Sequence, residues 1–422
     1  MTPRERVLRA FEHKESDMVP VDFSGHRSSG IAAVSYAGLR AHLGLPKRPV
    51  RVYDPIQQLA VIDEDVLQRF GVDVMEMGRG FSKEDADWQE WTLPNGSPCL
   101  MPAWLRLERQ SGQWNMRSAR GTLLGKMPDG ALYFQQATFP FADNLTDNLT
   151  TLSDTFEECM WTSSFAAAPP GPRTAGPEGL KRLREGARQL RASTDRAIVG
   201  LFGGSLLEAG QFIYRNENYF MILASEPERA EAFLDAAVEL YLENLERFLG
   251  AVGDSIDVVA FSDDLGMQSG PQISPDMYRR LFKPRHARMW QEAKKLAPAG
   301  RGGDPSRPPV RVMLHCCGGV RPLMADLIEA GIDAMNPVQI STEGMETKAL
   351  KRDFGHDMVF WGGGCDTQTV LRTGTPEEVR AHVREQVQVL APGGGFVFQQ
   401  VHNILADVPF ENVVAMFDAV RS

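Results

Sequence analysis

The run His315-Cys316-Cys317-Gly318 sets an imidazole and a thiol two residues apart, and three of the five cysteines, Cys316, Cys317 and Cys365, fall late in the chain. Imidazole nitrogen and thiolate sulfur are ligands that zinc prefers, and a catalytic zinc keeps one position open. Two such ligands at the end of an extended segment can share one ion, while Cys316 between them points away and is assigned to packing. Further ligands must arrive from elsewhere. Cys365 and His402 are the candidates, and the residues alone leave the choice open. Asp263-Asp264 is a second cluster. Adjacent carboxylates on an extended chain face opposite ways, so at most one turns toward a pocket, to orient substrate, ligate metal or move a proton. The alternative is a helix cap or an ion pair with Arg279 or Arg285. Asp22 is a third candidate carboxylate. His26, Arg27, Arg79, Asn336 and Gln339 are candidate substrate-binding residues. Gly203-Gly204 and Gly362–Gly364 suit a phosphate cradle or a close backbone approach. No Walker pattern and no GxGxxG is present, which argues against nucleotide binding. His13, His42, His286, His356 and His382 are assigned to solvated or salt-bridged faces.

These residues need elements to position them, and the chain repeats one theme, a short apolar run ending in polar or glycine residues. Eight runs fit: Met18–Phe23, Val72–Met77, Ala197–Phe202, Val258–Ser262, Val310–Leu314, Ala334–Val338, Met358–Trp361 and Gly395–Gln399. Helical periodicity marks Ser225–Phe248, Pro275–Leu296, Val320–Ala330 and Thr375–Leu390, and Thr2-Pro3 caps an opening helix. Alternating strands and helices predict an α/β chain with parallel strands, and eight of them predict a (β/α)8 TIM barrel, with an open doubly wound sheet as the rival. In a barrel the chemistry collects at the C-terminal strand ends, where the candidates above fall. Asp87–Phe139 breaks the alternation. Its tryptophans (Trp88, Trp91, Trp104, Trp114) read as core, and Gly121–Phe134 reads as a hairpin about Pro128-Asp-Gly. The expectation is a single barrel domain over 1–422, with an antiparallel β insertion after strand 2 at about 80–177.

The 422 residues are 43% hydrophobic and 24% charged, with a net charge of −10. That composition predicts a globular protein and argues against non-specific nucleic-acid binding. No apolar run is long enough to span a membrane. The N-terminus is charged and unlike a secretory signal, and the odd cysteine count does not suggest a disulfide framework. A reducing, cytoplasmic setting is expected.

FSDDLGMQSGPQISPDMYRRLFKPRH, MLHCCGGVRPLMADLIEAGIDAMNPVQ, GGGCDTQ and the closing GGGFVFQQVHNILADVPFENVVAMFDAV resemble the uroporphyrinogen decarboxylase superfamily. The resemblance runs from the opening TPRERVLRAFEHKESDMVPVDF to the end and is weakest over Asp87–Asp195. It implies a (β/α)8 barrel and one of two chemistries. Cofactor-free decarboxylases of the superfamily bind substrate carboxylates with arginines of a Met-Arg-Gln-Ala-Gly-Arg block, whereas the comparable stretch here reads Asp22-Phe-Ser-Gly-His-Arg27. In that alternative Asp22, Asp54 or Asp263 would protonate the product. Zinc-dependent methyltransferases of the superfamily exchange methyl groups with a corrinoid protein. Their HxC motif matches His315 and Cys317. Their distant cysteine lies in a Pro-Gly-Cys-Gly segment, which reads Gln400-Val-His402-Asn here. Histidine therefore stands where that branch has cysteine, and Cys365 is the other candidate thiolate. The resemblance is nearest to this second branch. It implies a demethylase-type methyltransferase with Zn2+, a small-molecule substrate, a corrinoid (cobalamin) carried by a partner protein, and a homodimer as a candidate assembly.

Overall fold

The computed structural model describes residues 1–80, 84–118, 120–142, 147–159, 177–300 and 309–421. Its centre is a curled sheet of seven parallel strands: β1 (Val74–Glu76), β2 (Ala197–Gly203), β3 (Val258–Ser262), β4 (Arg311–His315), β5 (Ala334–Asn336), β6 (Val359–Trp361) and β7 (Phe396–Val397). Each strand pairs in parallel with the next in chain order, so the sheet winds in one direction. Seven of the eight expected runs are these strands.

The eighth, Met18–Phe23, is not a regular strand. It makes one parallel bridge, Val21 to Phe398. Backbone bonds tie it to both edges: Asp22 N to Phe398 O and Phe398 N to Pro20 O on one side, Asp73 N to Val21 O on the other, each 2.8 Å. Pro20 has no N–H to add to a ladder, and Ser24 at φ 75° turns the chain out of the extended region.

Two-residue alternation sorts the strand side chains. Val199, Leu201, Val258, Ala260, Met313, Ala334, Val359, Trp361 and Val397 share one apolar cluster with Val7, Ala10 and Phe11 of helix α1 (Pro3–Phe11). Val259, Phe261, Val312 and Leu314 belong to the other cluster, which includes the covering helices. The helix α1 therefore plugs the concave side of the sheet. Thr2 accepts from Glu5 N as its N-cap, and Pro3 opens it, as the sequence predicts. The residues two beyond the last concave apolar positions, Glu76, Ser262, His315, Asn336 and Gln399, inherit the same side at the C-terminal rim.

The expected helices are present as α3 (Pro227–Val252), α4 (Lys283–Gly300), Met324–Ala330 and Pro376–Leu390, the last capped by Thr375. A shorter helix α2 (Leu207–Tyr214) follows strand β2. A π-turn at Tyr278–Phe282 leads into α4. Between β1 and β2 lie two small sheets. Gln113–Arg117 and Leu123–Pro128 form an antiparallel pair, and Leu123–Pro128 also pairs antiparallel with Gln135–Gln136. The Pro128-Asp-Gly hairpin is thus one side of a larger sheet. The other sheet is mixed, because Val50–Asp54, from before β1, joins Pro98–Pro102 in parallel. Trp91 is buried, with Trp114 edge-on at 5.5 Å, whereas Trp104 is 42% exposed and not core. Residues 160–176 and 301–308 lie outside the described residues. No helix among the described residues is long and apolar enough to cross a membrane.

Candidate functional site

Strand register places the site. Ser262, His315 and Asn336 are Cα partners across β3, β4 and β5. Beyond β4 the chain turns through Cys317 and Gly318, the latter at φ 91°. A Cβ at Gly318 would stand 2.2 Å from the Gly266 carbonyl carbon, so this turn requires glycine on both counts. Gly318 N donates to Gln339 Oε1 at 2.8 Å. Gln339, expected to bind substrate, braces the loop through this bond.

The turn brings Cys317 Sγ to 3.6 Å from His315 Nε2. His402, from the loop after β7, completes a group whose ligand atoms all lie within 4.8 Å of one another. Cys365 does not belong to that group. It is fully buried, its Sγ faces Asp366 O, and burial pushes its thiol up. Between the two candidates that the sequence leaves open, the geometry brings His402 beside His315 and Cys317.

The tautomer of His315 follows from its partners. Asn336 Nδ2 donates to Trp361 O at 3.3 Å and to Gln399 Oε1 at 2.8 Å. A carbonyl only accepts, so the NH2 end of Asn336 faces Trp361 and its Oδ1 faces His315. Asn336 Oδ1 then accepts from His315 Nδ1 at 2.8 Å and from Ser28 Oγ at 2.8 Å. His315 carries its proton on Nδ1, which leaves the Nε2 lone pair beside Cys317 Sγ. An imidazole N–H bonded to a fixed acceptor is the usual support of a metal-binding histidine. His402 Nδ1 meets Asn403 Oδ1 at 2.7 Å in the same manner. The chemistry and spacing of this donor set fit a soft divalent cation. Asn336, expected to bind substrate, is fully buried and bonded to His315.

The two aspartates diverge. Asp264 Oδ1 accepts from Cys317 N at 2.7 Å and lies 3.8 Å from His315 Nε2. Asp263 is fully buried on the convex side. It accepts from Leu207 N and Glu208 N at 3.0 Å, closing the N-terminus of α2, and from His286 Nε2 at 3.1 Å. Asp263 is therefore a helix anchor and does not face the site. His286 is not on a solvated face: it is 1% exposed and stacks on Trp290 at 4.6 Å. The sequence signal of a basic helix, Lys283-x-Arg285-His286-x-Arg288, hid a histidine that lies on the inner side.

Asp22 accepts from Gly25 N at 2.6 Å, Ser29 Oγ at 3.1 Å and Trp361 Nε1 at 2.8 Å. This expected catalytic carboxylate is an anchor of the 24–29 loop. That loop carries His26, whose ring stacks on His315 at 4.5 Å. Arg27 pairs with Asp54 at 2.8 Å. Arg79 lies in the turn Met77–Gly80, and its side chain is outside the described residues. The glycine clusters serve packing: a Cβ at Gly364 would meet the Phe398 ring at 2.3 Å, and one at Gly204 the Phe202 ring at 3.1 Å.

Glu208 is read from the sequence only as a polar group beyond the third strand, with no role assigned, and Gln399 is not read as a site residue at all. Glu208 Oε2 accepts from Ser262 Oγ and Asp264 N, both at 3.1 Å. Burial, then the charges of Asp264 and Asp263, push its carboxyl well above the ordinary range. Burial and Asp264 likewise push the Cys317 thiol up, and burial beside His315 pushes His402 and His26 down. Strand-end position is the signal that points to Glu208 and Gln399, and it does not separate them from structural neighbours.

The Uroporphyrinogen decarboxylase (URO-D) family matches residues 169–422. Among solved structures, a methyltransferase from Methanosarcina mazei superposes with a TM-score of 0.57 at 17% identity, covering 100% of this chain and 98% of that one. A Listeria monocytogenes protein described as a "Putative Vitamin-B12 Independent Methionine Synthase" aligns at 14% identity over 58% of this chain and 65% of that one, with a TM-score of 0.28. No curated protein matches. The family match spans more than half of the sequence and contains both the His315-x-Cys317 turn and His402, so the chain belongs to the uroporphyrinogen decarboxylase family.

Proposed function

We propose that this protein is a zinc-dependent methyltransferase that moves a methyl group between a small substrate and a corrinoid protein. The observation that carries the reading is the convergence of His315, Cys317 and His402 within 4.8 Å, with the Nε2 lone pair of His315 set by Asn336. The fold likeness to a methyltransferase is consistent with it, and the corrinoid carrier rests on the motif resemblance of the HxC turn. Zinc held by His315, Cys317 and His402 would supply a Lewis acid that activates a thiol or polarises a methylated heteroatom. Asp264, 3.8 Å from His315, orients the substrate and takes up or returns its proton. Glu208 bonds to the Asp264 backbone and holds that carboxylate in place. We read Pro20–Asp22 as the eighth stave of a closed barrel and the small sheets between β1 and β2 as an insertion over its mouth. Decarboxylation of a polycarboxylate has less support, because Arg27 is engaged by Asp54 and the arginine-bearing block of the decarboxylases is replaced here by Asp22-Phe-Ser-Gly-His-Arg27.

Metal analysis of the purified protein tests the reading. Wild type is expected to hold a stoichiometric zinc, and His315→Ala and Cys317→Ala to lose it. Full retention in both variants would overturn the proposal.

A further inference from the structure

His26 caps the short turn Arg27–Ser29, and the backbone N–H of Ser28 donates into its Nδ1 at 3.1 Å. A backbone N–H can only donate, so Nδ1 must hold a lone pair and the neutral ring carries its proton on Nε2. The Ser28 hydroxyl reinforces this. Its own hydrogen goes to Asn336 Oδ1, and it accepts from Gln399 Nε2 at 3.0 Å. His26 as a whole is 7% exposed, no hydrogen bond joins its Nε2 to a described residue, and Nε2 is not among the enclosed atoms that lack a partner, so it faces open space at the site. An N–H held at a fixed place beside the His315 ring and open to the site can donate to a bound molecule. The loop is braced: Ser29 Oγ accepts from His26 N at 3.1 Å, and Asp22 holds Gly25 and Ser29. The ring lies against His315, with centroids 4.5 Å apart.

His26 thus has the opposite polarity to its neighbour. His315 presents a lone pair at Nε2, and His26 presents an N–H. We propose that His26 determines specificity by donating from Nε2 to an oxygen acceptor, whether hydroxyl, carbonyl or carboxylate, of a substrate whose sulfur or other heteroatom sits at the His315–Cys317–His402 centre. This rests on the metal-centre reading above.

Two thiols matched in length, 2-mercaptoethanol and 1-propanethiol, test it by calorimetric titration of the zinc-loaded protein. His26→Phe keeps a flat ring against His315 and removes the donor. It should weaken 2-mercaptoethanol binding about ten-fold, the effect of one lost hydrogen bond, and leave 1-propanethiol within about two-fold. His26→Gln, which retains an N–H donor, should recover most of the loss. Equal loss for both thiols, or no loss for either, would overturn the proposal. The nitrogen-15 spectrum of the histidines reads the tautomer without any metal: a proton on Nε2 of His26 is expected, and one on Nδ1 overturns the assignment. A wild-type protein that holds no zinc would sink the metal-centre reading, and the nitrogen-15 spectrum would still decide separately whether His26 presents an N–H at Nε2.

Discussion

At the residue scale, the site separates groups that could touch an ion from groups that aim them. His315, Cys317 and His402 are the first kind, and Asn336 is the clearest of the second. Its one amide orients His315, Ser28 and Gln399 together. Replacing Asn336 by Ala frees His315 to exchange tautomers. Zinc affinity should then fall about 10–100-fold, the usual cost of losing such a support, as measured by competition with a chelator of known affinity. The HxC turn was legible in the sequence because both ligands lie on one short stretch. The support of Asn336 was not legible, because a bond between side chains on separate strands leaves no local pattern.

At the element scale, Asp263 and Gly318 hold neighbouring pieces of the rim in place. Asp263 joins the N-terminus of α2 to His286 of α4. Asp263→Ala removes a helix cap and leaves the buried Nε2 of His286 without its partner, so it should cost about 2–4 kcal/mol in urea unfolding. Because Asp263 faces the helix layer, zinc content should survive in whatever fraction folds. Gly318→Ala should act the other way. The substituent has no room against Gly266, and φ 91° disfavours it. The Cys317 turn must shift, and zinc occupancy should drop by more than about ten-fold in metal analysis, with the far-ultraviolet circular dichroism retained. Alternation along β3 accounts for the fates of Ser262, Asp263 and Asp264. It could be read in advance as opposite faces, but which face was concave had to wait for the sheet.

At the scale of the whole molecule, a half-buried histidine far along the chain couples stability to pH. Burial holds the His382 imidazole below its ordinary value of 6.5, although Asp366 and Glu385 oppose this. The ring accepts from Asp366 N at 3.2 Å, which requires the neutral form. Because the folded pKa lies below the unfolded one, the unfolded chain binds the proton first as pH falls. The contribution is complete above about pH 6.5 and is lost as pH descends toward the folded value. The melting temperature should fall on acidification from pH 7 to pH 5.5, and His382→Gln should flatten that part of the profile in differential scanning calorimetry. An unchanged slope in the variant would refute the assignment. The seven strands of the sheet, the capped helices and the HxC turn were determined by sequence alone, because strand alternation, N-caps and a short ligand motif are written within a few residues. Only the tertiary structure decided that Pro20–Asp22 bridges both sheet edges, that Asp22 and Asp263 are anchors, and that His402 stands nearer to His315 and Cys317 than Cys365 does. Those outcomes depend on how strands distant in the chain are brought into register, and a side chain's partner across such a register is fixed by the curl of the sheet and not by its own neighbours.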